Sequence, residues 1–121
     1  MYDNPIYQSF TANANAAVST AADIFQIVGP KGKKGRLVAA SFATSTATTT
    51  AASAINIGTQ ADADSLGSFT IPVTAINTAI QPTQAQLDAI SEFAADTVYC
   101  VSGDGAANAG ALDISITIAW Y

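Results

Sequence analysis

Leu112-Asp-Ile-Ser-Ile-Thr-Ile-Ala-Trp-Tyr121 alternates without a break. Leu112, Ile114, Ile116, Ile118 and Trp120 fall on one side. Asp113, Ser115, Thr117, Ala119 and Tyr121 fall on the other. Side chains along a strand repeat every two residues, so the pattern predicts a strand with one buried and one wet face. Burying the five large side chains contributes about 10 kcal/mol before conformational entropy is subtracted. Upstream, residues 96–102 supply a second strand. Val98 and Cys100 share one side, Tyr99 and Val101 the other, which predicts a central or interface position. The glycine-rich run 103–110 between the two predicts a hairpin with a long loop.

Working back through the chain, short apolar runs alternate with turn signals. Ile24, Phe25, Ile27 and Val28 predict a strand over 23–28, closed by Gly29-Pro30. Leu37, Val38 and Phe42 place another from Gly35 to about Thr46. Ile55 and Ile57 mark a strand closed by Gly58. Phe69, Ile71 and Val73 mark another, which Pro72 assigns to an edge or a strand end. Thr83 followed by Gln86 is a capping box, and Leu87 and Ile90 at helical spacing predict one or two helical turns. Residues 1–20 hold Tyr2, Ile6, Tyr7 and Phe10 in no regular period, which predicts an extended arm that docks on a neighbour. The expectation is an all-β protein, an antiparallel, jelly-roll-like β-sandwich over residues 21–121 with an N-terminal arm over 1–20.

Composition bounds the chemistry. The 121 residues carry nine acids, four bases and a net charge of −5, and only 11% are charged. A small core with a weakly charged surface predicts a fold whose stability depends on a partner or on self-association. Cys100 is the single cysteine and there is no His. Nucleophile pairs of the Ser–His or Cys–His kind are thereby excluded, as are zinc sites built from the usual ligands. Asp62, Asp64, Asp88, Glu92, Asp96 and Asp104 read as turn and cap residues. The expectation is a protein without catalysis, metal or cofactor. The first residues lack a basic, apolar signal region, and no run approaches the roughly 18 apolar residues of a membrane span. That predicts synthesis in the cytoplasm without export and no membrane partner.

One polar feature is concentrated. Lys31, Lys33, Lys34 and Arg36 are all the bases of the protein, and they lie within six positions, spaced by Gly32 and Gly35. This loop is a candidate contact for an acidic surface. Nucleic acid is not the expected partner, because neither a basic overall balance nor aromatic residues between the charges accompany the loop.

The layout from Gly35 to Ile118 resembles capsid decoration (cement) proteins of tailed bacteriophages. The resemblance rests on Gly35-Arg-Leu-Val-Ala-Ala-Ser-Phe-Ala-Thr-Ser-Thr-Ala, on Ile55-Asn-Ile-Gly58, on Phe69-Thr-Ile-Pro, and on the run from Phe93 through Val98-Tyr-Cys-Val-Ser-Gly-Asp-Gly to the closing alternating strand. Ala95 stands where a Gly is commoner in that class. The resemblance implies a β-sandwich or jelly roll, often trimeric, that sits on the capsid exterior, bridges major capsid proteins and stabilises the shell. On that reading Tyr2, Ile6, Tyr7, Phe10 and the four bases contact the capsid. The competing expectations are a carbohydrate-binding β-sandwich and a tail or neck component.

Overall fold

A computed structural model describes residues 5–14, 23–49, 52–104 and 109–121. Among them are eight strands and one short helix: β1 (Ile6–Ala14), β2 (Asp23–Ile27), β3 (Gly35–Thr49), β4 (Ser53–Gly58), β5 (Gly67–Ile71), β6 (Ala79–Ile80), α1 (Gln84–Asp88), β7 (Tyr99–Gly103) and β8 (Ala109–Trp120). They form two four-stranded antiparallel sheets, ordered β1-β8-β3-β6 and β2-β7-β4-β5. The first strand thus pairs with the eighth, the second with the seventh, the third with the sixth and the fourth with the fifth. This nesting is a long hairpin rolled into two facing sheets, the jelly-roll arrangement.

The inner face of β8 is as its alternation predicts, but the outer face is only partly wet: Ser115, Thr117 and Tyr121 are half-buried and Ala119 is buried. Leu112, Ile114, Ile116, Ile118 and Trp120 are buried, while Asp113 is exposed. They meet Ile27, Ile55, Ile57, Phe69, Ile71 and Val101 in one core. Aromatic contacts tie the sheets together. Phe42 packs on Phe69 at 5.6 Å, and Phe93 lies between Tyr99 at 5.2 Å and Trp120 at 5.9 Å. The capping box forms as expected: Gln86 N–H donates to Thr83 Oγ1 and Thr83 N–H to Gln86 Oε1. α1 then buries Leu87, with Ile90 just beyond it, at the end of the sandwich.

Two expectations are revised. Residues 103–110 do not close a hairpin. β7 and β8 lie in different sheets, and the connection crosses from one to the other. Glycine and small residues signal a reversal, but a reversal within one sheet and a step between sheets need the same residues. Residues 6–14 of the expected arm form β1, hydrogen-bonded to β8 in unbroken register from Ile6↔Trp120 to Ala14↔Leu112. Gln8 interrupts the apolar alternation of β1. The structure accounts for it: Trp120 Nε1–H donates to Gln8 Oε1 at 3.0 Å, so a polar side chain serves the inner side of the strand. Residues 1–4 and 15–20 of that segment, Tyr2 included, lie outside the described residues.

Candidate partner-binding surface

The strand registers sort the loops between two ends of the sandwich. Trp120, Ile6 and Gly35 stand level in one sheet; in the other, Ile27 pairs with Tyr99 and Gly58 with Cys100. The connections 28–34, 59–66 and 81–98 leave from this end. Residues 72–78 lie at the opposite one. All four bases therefore share an end with the carboxylates of Asp62, Asp64, Asp88, Glu92 and Asp96. Asp104 and Asp113 lie toward the other end, with no base among the described residues there, while Asp23 accepts from Gln60 Nε2 at 3.1 Å and so reaches the 59–66 connection.

Core residues hold the basic loop in place. Gly29 and Gly35 lie against the indole of Trp120; a Cβ on either would come within 2.5 Å of a ring carbon. Lys34 N–H donates to Tyr121 O and Tyr121 N–H to Lys34 O, both at 2.9 Å. The next residue repeats the pattern, with Gly35 and Phe93 exchanging bonds of 2.9 and 2.8 Å. At the tip, Gly32 adopts φ +75°, and its N–H donates to Asp96 Oδ1 at 2.8 Å. The loop is clamped on both sides, so its cations project from a fixed frame.

Lys34 Nζ lies 3.8 Å from Glu92 Oε1, and Glu92 also accepts from the Tyr121 hydroxyl. Both ends of that ion pair are well exposed, which limits its worth to about 0–1 kcal/mol. Lys31, Lys33 and Arg36 have no ion pair among the described residues. Lys31 and Lys33 rim a cleft of about 400 Å³ whose walls include Val28, Val98 and Thr97. Val28 is 58% and Val98 48% exposed, so the cleft joins apolar surface to positive charge. Sequence reading passed over both valines as strand residues. They emerge only because β2 ends at Ile27 and β7 begins at Tyr99, leaving each just outside its sheet.

Arg36 and Tyr7 come from separate stretches of sequence, and the fold brings them together. Both stand level with Ala119 on the outer face of their sheet. They line a hollow of about 240 Å³ with Pro5, Val38 and Tyr121. Tyr7 is 65% exposed, and Ile6, at the edge, is 48% exposed. Phe10 is placed differently. It is half-buried and stacks on Phe25 at 6.0 Å with rings 9° apart, so it packs between sheets instead of projecting as an anchor.

A larger, shallow hollow of about 540 Å³ crosses the same outer face, floored by Thr11, Ser41, Ala43, Asp113 and Ser115. It gathers small neutral side chains and one carboxylate. Among the described residues no three His, Cys, Asp or Glu side chains come together as a metal would require. Cys100 is buried, and burial pushes its thiol pKa up, with the Asp23 carboxylate adding to the effect. Tyr99, which a carbohydrate-binding sandwich would need at its surface to stack on a sugar, is in the core. Compared with known proteins, the chain matches no protein-family model and no curated protein.

Proposed function

We propose that this chain is a non-enzymatic structural protein of a virus particle, which decorates the outer capsid surface and stabilises the shell by bridging major capsid proteins. The observation that carries the reading is the charge layout of the jelly roll. One end holds every base, on a loop clamped to the core, beside exposed Val28, Val98, Tyr7 and Ile6. The opposite end offers carboxylates alone among the described residues. The basic end also carries carboxylates, so an acidic partner surface is drawn to the local cluster of Lys31, Lys33, Lys34 and Arg36, whereas the opposite end has no base among the described residues to offer it, which favours one orientation. The apolar side chains beside the cations supply the surface that is buried on docking.

Cosedimentation with purified tailed-phage capsid shells stripped of accessory proteins tests the reading. Saturable binding at a fixed ratio to the major capsid protein is expected. Raised salt weakens it, and so does replacing Lys31, Lys33, Lys34 and Arg36 with Ser. Absence of binding, or binding that neither change affects, overturns it.

A further inference from the structure

The edges of the two sheets differ in one respect that bears on association. An edge strand presents unpaired N–H and C=O groups, and proteins blunt such edges with short strands, bulges, Pro or charge. Four strands end the sheets here, and three are blunted. β6 has two residues. β5 has five and runs into Pro72. β2 has five, begins at Asp23 and is bulged between Asp23 and Phe25. β1 is neither short, bulged nor charged, and its flanking Pro5 stands before the first residue and leaves the nine-residue edge open. It runs nine residues, Ile-Tyr-Gln-Ser-Phe-Thr-Ala-Asn-Ala, without Pro, charge or register shift, and among the described residues nothing pairs with its outer edge.

We propose that β1 is the self-association edge of this protein: it pairs antiparallel with β1 of a second copy, across a twofold axis at Phe10. The two four-stranded sheets then continue as one sheet of eight. The occupant follows from the strand itself. Phe10 is the midpoint of the nine residues, so the two strands overlap flush along their whole length. In that register Gln8 stands opposite Ala12 of the second copy and Ser9 opposite Thr11. Inward positions meet inward positions, so both cores stay on the same side of the joined sheet. Phe10 meets Phe10 of the second copy on that inner side, extending the Phe10–Phe25 stack, and aromatic cross-strand pairs are favourable. No like charges face each other. Antiparallel pairing turns the second copy end for end, so the dimer describes the free protein, and the docking proposed above, basic end to shell, is by a single copy.

Light scattering across a wide concentration range tests it on three proteins. Thr11→Lys puts an ammonium group beside the axis, on an exposed side chain. Ala43→Lys puts one on the same outer face but on β3, away from the edge. The wild type is expected to be a dimer, T11K to dimerise about tenfold or more weakly, and A43K to match the wild type. A wild type that stays monomeric overturns the proposal. So does T11K associating as tightly as the wild type, or A43K dissociating as far as T11K, which would place the contact on the face. Hydrogen exchange on the unmodified protein gives an independent reading. Protection of the β1 amides that rises with protein concentration is expected; protection independent of concentration overturns the edge assignment.

Discussion

Gly29 shows how one residue couples the core to the candidate binding loop. Trp120 is packed against Phe93 and hydrogen-bonded to Gln8, so its ring has little room to yield when Gly29 gains a side chain. Gly29→Ala is expected to cost about 1–3 kcal/mol in stability by overpacking, and to shift tryptophan emission; urea denaturation followed by fluorescence checks both. Cys100 makes a second prediction at this scale. Its folded pKa lies above the ordinary thiol value of 9.0. Below that value both folded and unfolded chains carry the neutral thiol, and the group adds no pH dependence. As pH rises past it, the unfolded chain loses its proton first, so stability falls until the folded thiol also ionises. Wild type and Cys100→Ala compared by denaturation are expected to run parallel below pH 9.0 and to diverge above it, with the wild type losing more. Gln8 marks the limit of legibility here. A glutamine within an apolar run argues against a buried strand face, and nothing in the sequence says that an indole 112 residues away will bond to it.

At the scale of elements, β8, β4 and α1 were legible because each carries a complete local signal: strict alternation, alternation closed by Gly58, and a reciprocal cap. β6 was not legible, since two residues carry no period; it is defined by what Thr44 does. Thr44 is buried, its Oγ1–H donates to Ala75 O at 2.6 Å, and the same oxygen accepts from Thr78 N–H at 2.9 Å. Its backbone exchanges bonds with Asn77 N–H and Thr78 O. One side chain thus seats residues 75–78 against the edge of β3. Thr44→Val keeps the shape and removes these side-chain bonds. It is expected to cost about 1–2 kcal/mol, with faster amide exchange at Thr78, as read by denaturation and hydrogen exchange. The step from β7 to β8 was read as a hairpin because turn residues are local, whereas the choice of sheet is made by pairing with β1, β3, β2 and β4 far along the chain. The cations of the candidate site were visible in sequence as a cluster. Their valine neighbours and the meeting of Arg36 with Tyr7 were not, because strand ends and cross-sheet register create them.

At the scale of the whole molecule, the nested pairing gives the sandwich two unlike ends. The mixed-charge end presents its bases on a loop held by Trp120, Phe93 and Tyr121, and the other end presents carboxylates among the described residues. The proposed function turns on that polarity: an acidic shell should select one orientation. Electron cryo-microscopy of shells saturated with the protein tests this most directly. The account predicts density in which the end bearing Lys31, Lys33 and Arg36 faces the capsid, with residues 72–78 pointing to solvent. Density with residues 72–78 seated on the shell and the basic loop exposed would contradict it.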